Sequence, residues 1–298
     1  MIRKDLMDIR RTNNKLATYW ARIPVHGVRG GVKVALAHQP FNFEEWEICG
    51  SKLVRTKDGE FHLYVTVKKD VEPKKEYASI IAIDIGARWV AVSVARHRSK
   101  PKFYGKRVRE LRGKYFWLRR KLGREKKLRA IKKVGHKERR LVNDELHKIA
   151  KDIVDEAEKH NAIIAIGDLK GVRKNSKGKG RKANRKVNSM PSHKLKEYIR
   201  YKALERGILV IEVPEYNTSK QCSRCGSMRT ERHSQGVFIC SDCGYQVNAD
   251  VNGAKNILKR AVGYMLTAGA AVTQPEGERF ILNHTPQPPL IGLHGGSF

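Results

Sequence analysis

Four of the five cysteines fall in two tight pairs, "CSRC" and "CSDC", which give Cys-x2-Cys-x14-Cys-x2-Cys through Cys222, Cys225, Cys240 and Cys243. No other feature restricts the fold as strongly. Each pair makes a tight turn that aims two thiolates at one point. Gly226 and Gly244 directly follow the pairs, where a left-handed residue suits the turn. Four thiolates close a tetrahedral shell, so the spacing predicts one structural zinc with no open position for chemistry. Disulfides or a redox pair are the alternatives, and the doubled spacing favours zinc. The fifth cysteine, Cys49, is expected as a small core residue.

A second pattern is acidic. "IIAIGDLKG" (163–171) reads as a buried strand with Asp168 at its carboxyl end, and "IIAIDIGARWVAVSVA" (80–95) carries Asp84 inside an apolar run that turns back as a hairpin. "ILVIEVPE" (208–215) ends in Glu215, and "NADVNGAKNILKRAVG" (248–263) is a helix with Asp250 at its entry. A carboxylate in such a run costs on the order of several kcal/mol unless something pairs with it. Carboxylates meeting at the carboxyl ends of adjacent strands in an α/β sheet are able to hold magnesium, and a pair of ions serves phosphodiester hydrolysis. The plainer reading is that they are caps and turn residues, ordinary for Asp168 and Asp250.

Charge names the partner. Lys and Arg total 62 against 30 Asp and Glu, a net +32, which predicts a polyanion, with nucleic acid ahead of acidic lipid. A ribosomal-type protein is equally basic. Residues 106–140 hold seventeen Lys/Arg against three Glu, and residues 170–186 hold nine and no acid. The first stretch reads as basic helix and the second as a flexible basic loop. Arg119, Arg120, Lys126, Lys127, Arg173, Lys174, Arg181, Lys182, Arg185 and Lys186 are therefore the candidate nucleic-acid contacts. Residues 143–162 differ, with six acids to three lysines and Leu146, Ile149, Ile153, Val154 and Ala157 at helical spacing, a packed amphipathic helix. "PSHKLKEYIRYKALERG" (191–207) reads as a further helix ending at Gly207. Residues 20–70 look β-rich, and "DVEPKKEY" (70–77) reads as a linker. No apolar run is long enough to span a membrane, and "MIRKDLMDIRRTNNK" lacks the apolar stretch of a signal peptide, which sets a cytoplasmic expectation.

The segments "IAIDIG", "NDELHKIAKDIV", "IIAIGDLKGVR", "NSMPSHKLKEYIRYKALERGILV", "TSKQCSRCG" and "CSDCGYQVNADVNGAKNIL" occur in order between about residues 78 and 260. In that combination the chain resembles the TnpB family of transposon-encoded proteins, relatives of the type V CRISPR effectors. The resemblance implies an RNase H-like (RuvC) mixed α/β sheet with flanking helices and a zinc ribbon inserted before the last motif. It implies a guide RNA, a target DNA and magnesium-dependent cleavage by two ions, with Asp84 matching the first catalytic aspartate and Asp250 the last. The expected organisation is a β-rich wedge-like remnant (1–74), the first part of the nuclease domain (75–216), the zinc ribbon (217–247), the last motif and helix (248–264) and a loosely ordered tail (265–298).

Two departures matter. Where the family has Glu before the Asp-Leu pair of its middle motif, this chain has Gly167. Glu215 is the first candidate to supply the missing carboxylate. Asp168 is second, since one residue of displacement in a strand points it to the opposite face, and mid-strand Glu212 is third. The helical recognition lobe usual before the nuclease domain is also missing between residues 1 and 74. The leading reading is an RNA-guided DNA endonuclease of a transposable element. The alternatives are a guide-dependent DNA-binding protein that does not cut, as a repressor or transposon remnant, and a general zinc-ribbon RNA-binding protein.

Overall fold

The computed structural model describes residues 1–12, 15–37, 42–56, 59–74, 76–86, 88–168, 180, 191–232, 236–267, 270–272 and 280–282. The chain divides into two compact units, Met1–Val71 and Glu72–Phe298. The division falls inside the segment expected as a linker.

The first unit is built from short strands. β1 (Asp8–Arg11), β2 (Tyr19–Val25) and β3 (Val28–Ala35) form an antiparallel sheet in that order. β4 (Glu47–Ile48) pairs with β7 (Val67–Lys68), and β5 (Lys52–Arg55) with β6 (Phe61–Tyr64). Its core is small: Ile2, Met7, Ala21 and Ile23 are buried together. Cys49 is half-buried here and outside that core, contrary to expectation. β1 lies in an N-terminal stretch whose charge hides any alternation.

The second unit opens with β8 (Glu76–Tyr77), β9 (Ser79–Asp84), β10 (Ala91–Ala95) and β11 (Arg98–Tyr104). Helices α1 (Lys106–Arg124) and α2 (Leu128–Lys159) follow, then β12 (Ala162–Asp168), α3 (Ser192–Glu205) and β13 (Val210–Pro214). β14 (Thr230–Glu231), β15 (Val237–Cys240) and β16 (Gln246–Asn248) make a small antiparallel sheet around the cysteines, and α4 (Ala249–Thr267) leads to β17 (Ala270–Val272) and β18 (Phe280–Leu282). The central sheet has the order β11-β10-β9-β12-β13. β9, β12 and β13 are parallel, while β10 runs antiparallel to β9 and to β11.

β9 and β12 are continuous apolar runs because both faces of the sheet are covered. Residues of one parity, such as Ile81, Ile83, Ile164 and Ile166, pack with Leu146, Ile153 and Ile199 from α2 and α3. The other parity, including Ile80, Ala82, Ile163, Ala165, Ile211 and Val213, packs with Val251, Ala254 and Ile257 of α4. This two-faced division decides which carboxylates meet.

Three elements differ from expectation. The basic helical stretch breaks at Glu125–Lys127, where Lys126 takes φ 54°. β11 went unread because "RSKPKFY" has a proline and three cations, compatible only with an edge strand. Residues expected as a loose tail extend α4 to Thr267 and supply β17 and β18, the latter pairing with β8. Among the described residues, no helix is long and apolar enough to cross a membrane.

Candidate active site

Asp84 ends β9, and by parity it follows Ile80 and Ala82 onto the α4 face. Its carboxylate lies against the backbone of α4, since a Cβ built on Gly253 would sit 2.8 Å from Asp84 Oδ2. A side chain at position 253 would push the aspartate aside, so glycine here has a steric reason. Asp250 stands in the first turn of the same helix. It does not cap the helix: Asn248 Oδ1 accepts from the Asp250 and Val251 amides at 3.0 and 3.4 Å. The Asp250 carboxylate is thereby left for another task, and its Oδ1 lies 4.0 Å from a Cβ built on Gly86.

Glu215 follows β13 and keeps the parity of Ile211 and Val213, the α4 face. Its side chain folds across position 167. A Cβ on Gly167 would lie 2.5 Å from Glu215 Cδ and 2.6 Å from Cγ. Gly167 in turn follows Ile166, which pairs in register with Ile83, so it is the strand neighbour of Asp84. The carboxylate from β13 therefore occupies the room that a side chain at 167 would fill. Backbone contacts hold it there: Arg260 Nη1 donates to the Pro214 carbonyl at 2.6 Å, and Thr218 Oγ1 to the Glu215 carbonyl at 3.0 Å.

Asp168 and Glu212 point the other way. Lys196 of α3 is 3.3 Å from Glu212 and 4.0 Å from Asp168, and Arg200 is 2.6 Å from Glu212. Two cations thus offset two acids on the α3 face. Asp168 still acts on Glu215 through space and raises its pKa. The structure brings Asp84, Asp250 and Glu215 to one face and leaves Asp168 on the other.

The electrostatics of the two faces contrast. Burial first, then the Glu215 and Asp250 carboxylates, push Asp84 up to about 8, against Arg232. Burial pushes Glu215 up to about 7 despite Lys196. Asp250 is raised by burial against Arg232 and Arg88. Glu215 Oε1 and Asp250 Oδ2 are buried with no hydrogen-bond partner. Buried carboxylate oxygens without protein partners, on acids whose pKa values are raised, are a donor set that suits an oxygen-ligand cation. The residues fit a hard divalent ion. They do not converge on one point, however. The four thiols are the only group of three or more His, Cys, Asp or Glu among the described residues whose ligand atoms all lie within 4.8 Å of one another. A wider spread suits two ions about 3.5–4 Å apart, neither of which touches every carboxylate.

Arg88, between β9 and β10, and Arg232, between β14 and β15, both reach this cluster electrostatically. Neither was singled out from the sequence, where each is one arginine among many.

The cysteine cluster sits beside the cluster of acids. Cys222 and Cys243 sulfurs are 3.8 Å apart, and Cys225 and Cys240 are 3.6 Å apart. A tetrahedron with metal–sulfur bonds of about 2.3 Å has edges of about 3.8 Å, whereas a disulfide needs about 2.05 Å. The cluster fits a structural zinc. Gly226 and Gly244 take φ 81° and 65°, and their amides donate to the Cys222 and Cys240 carbonyls. Buried Asn252 and Asn256 of α4 fasten this module: Asn252 Oδ1 accepts from Ser223 N–H at 2.9 Å, and both amide nitrogens donate to the Gln221 carbonyl at 2.8 and 2.7 Å. The helix that carries Asp250 therefore also anchors the cysteine turns. We expect Cys240→Ser to abolish stoichiometric zinc, read by elemental analysis. Zinc supplies on the order of 10 kcal/mol to such modules, so the variant also unfolds around residues 217–248, read by amide exchange. Unchanged protection without metal would contradict the assignment.

Of the basic candidates, Arg119 is paired with Glu138 and half-exposed, Arg120 lies 5.4 Å over the ring of Trp117, Lys126 is exposed, and exposed Lys127 is 2.8 Å from Glu125. Trp117 is 61% exposed, a large aromatic held out in a basic helix, and was missed because the charge run around it dominates the pattern. Arg173, Lys174, Arg181, Lys182, Arg185 and Lys186 lie outside the described residues.

A family model described as "Cas12f1-like, TNB domain" matches residues 193–257, the span from α3 through the cysteine module into α4. The chain is 33% identical over 260 residues to the CRISPR-associated endodeoxyribonuclease Cas12f2 of a Micrarchaeota archaeon, covering 80% of this chain and 47% of the relative. It is 28% identical to a TnpB-like protein of Aquifex aeolicus, covering 70% and 77%, and 29% identical to one of Methanocaldococcus jannaschii, covering 73% and 81%. The chain thus spans about half the length of the Cas12f2 relative. A cryo-EM structure of a Cas12f1–sgRNA–target DNA complex shares the fold with a TM-score of 0.50 at 19% identity, covering 72% of this chain and 67% of that one.

Proposed function

Because this chain belongs to the TnpB family, we propose that it is an RNA-guided DNA endonuclease dependent on a divalent metal. The observation that carries the reading is Glu215 lying across Gly167, on the same sheet face as Asp84 and Asp250. The family's missing middle carboxylate is replaced from the next strand. The sheet order, with β10 antiparallel between β11 and β9 and two parallel strands beyond, supports an RNase H-like arrangement, and the cysteine module supports an inserted zinc ribbon.

Asp84, Asp250 and Glu215 are the residues that would hold magnesium. A bound pair of ions would offset the charge that builds on the phosphodiester oxygens. The chain's own part is to fix those carboxylates: Gly253 gives Asp84 its room, Asn248 frees Asp250 from capping, and Arg260 with Thr218 sets the turn of Glu215. Arg88 and Arg232 flank the cluster as cations for a scissile phosphate. Lys196 and Arg200 offset Asp168 and Glu212 on the far face. Transposition and recombination follow as the cellular setting of the family.

Helix α1 and the α1–α2 turn would bind the phosphate backbone of a guide–target heteroduplex, with base pairing supplying sequence choice. Affinity for RNA should fall with salt at a log–log slope of several units in a filter-binding titration. Trp117→Ala should weaken single-strand binding by about 1–3 kcal/mol, since Trp117 offers a stacking face. A flat salt dependence would remove this part of the reading.

One observation favours a second reading. Gly167 stands where the family has Glu, as in a chain that keeps guide and target binding without cutting. The deciding experiment is to sequence the RNA that co-purifies with the chain, build a DNA target complementary to it, and add magnesium. Cutting supports the nuclease. Guide-dependent binding without cutting supports the repressor or remnant.

A further inference from the structure

A cavity of about 800 Å³ in the second unit lies away from the carboxylates, between α1, α2 and the start of α3. Its floor is apolar, from Ile131, Val142 and Leu146. Its rim carries Arg112, Arg119, Lys132, Arg139 and Lys194 against a single acid, Glu138. That acid is taken by Arg119. Arg112 Nε is buried with no hydrogen-bond partner, and burial and then Arg119 push its guanidinium below its usual range. Arg112, Lys132 and Arg139 form no ion pair with a carboxylate among the described residues. The cavity also faces the start of α3, a 14-residue helix whose cap is Pro191, with no side-chain cap and no acid in its first turn. Pro191 gives its first amides no side-chain acceptor, and such amides are donors suited to an anion.

Positive charge on an open helix face suits a duplex backbone, but a duplex cannot enter a concavity. Several unneutralised cations over an apolar floor suit one nucleotide, with its base against the aliphatic side chains. A terminal phosphate carries about −1.5 to −2 charges at pH 7, more than a backbone diester, and matches the excess better. We infer that this cavity binds a terminal, phosphate-bearing nucleotide of a single strand, with Arg112, Arg139 and the α3 amides on the phosphate. The site goes beyond the endonuclease reading and needs neither the carboxylates nor a metal.

The test measures binding in EDTA, so a failed nuclease reading leaves it standing. The probes are pentauridylates with a 5′-phosphate, with a 3′-phosphate and with neither, and UMP and inorganic phosphate are the competitors. Wild type should prefer one phosphorylated form by about tenfold or more, the factor expected for a charge-assisted hydrogen bond. In Arg112→Leu that ratio should fall to about one, while Lys126→Met, which removes an exposed charge outside the cavity, should weaken all three probes alike and keep the ratio. Melting curves check that Arg112→Leu is folded, and Arg139→Gln gives a second variant with the same expected loss. Equal binding of all three probes by wild type, or a preference that survives both variants, would overturn the proposal. UMP or phosphate competing as well as the phosphorylated pentamer would overturn the strand assignment in favour of a free nucleotide.

Discussion

Asp84→Asn should, on the proposed endonuclease reading, lower cutting of matched DNA by at least about a hundredfold to a thousandfold, yet should melt above wild type when both are metal-free at pH 8. The two effects have one cause. Burial and the neighbouring carboxylates lift the folded Asp84 to about 8, while an unfolded aspartate titrates near 3.9. Between those values the native state keeps a proton that the unfolded state releases. Native stability therefore falls as pH rises through that window. Asparagine carries no such proton and loses nothing. The gain in melting temperature should be roughly a few degrees at pH 8 and should vanish near pH 4. Magnesium should raise the melting temperature of wild type increasingly with pH, and that of the variant much less, because the remaining carboxylates bind it weakly. A variant less stable than wild type at pH 8 would mean that Asp84 is satisfied by protein groups, and the metal reading of this face would fail with it.

The second large effect is a relocation. Glu215→Ala should lower cleavage by about a hundredfold or more while guide and target binding persist, since one ion loses its ligand. Gly167→Glu with Glu215→Ala should bring back most of that loss. The reason is steric as well as electrostatic: the Glu215 side chain occupies the space over Gly167, so removing it opens the position for a glutamate one strand over. Gly167→Glu alone forces the Glu215 carboxylate out, and that chain is flexible enough to move. Asp168→Ala should act more mildly, through Lys196 and the field on Glu215, because Asp168 faces α3. A structural role for Glu215 would instead lower both binding and melting temperature, and the relocated carboxylate would not recover them.

Much of this was readable because strands alternate. Ile163, Ala165 and Gly167 share one face and Asp168 takes the other, which is enough to expect that Asp168 cannot stand in for a residue at 167. The position of Glu215 at the end of an apolar run suggested the substitute. Sequence could not give the fold of the glutamate back over Gly167, which depends on Arg260 and Thr218 gripping the following turn from elsewhere in the chain. The cysteine spacing predicted its own geometry, since ligand count and turn length are local. Asn252 and Asn256 looked like part of a motif, and their buried hydrogen bonds to the first cysteine turn give that motif a structural reason. Arg88 and Arg232 were invisible because only tertiary packing separates them from dozens of other cations. The break between α1 and α2 carries no glycine or proline at Glu125–Lys127, β11 is an edge strand masked by its proline and cations although its partner β10 directly precedes it, and β18 is a short strand that pairs with distant β8 as well as with β17.

The central claim, that Glu215 replaces the carboxylate absent at Gly167, is tested most directly by anomalous diffraction from crystals of the chain soaked in manganese. Manganese takes the oxygen ligands of magnesium and reports its own position. The account predicts one or two manganese peaks bounded by Asp84, Asp250 and Glu215, with Glu215 oxygen within about 2.0–2.3 Å of an ion. Peaks held by Asp168 and Glu212 on the α3 face, or peaks at Asp84 and Asp250 with Glu215 turned away, would contradict it.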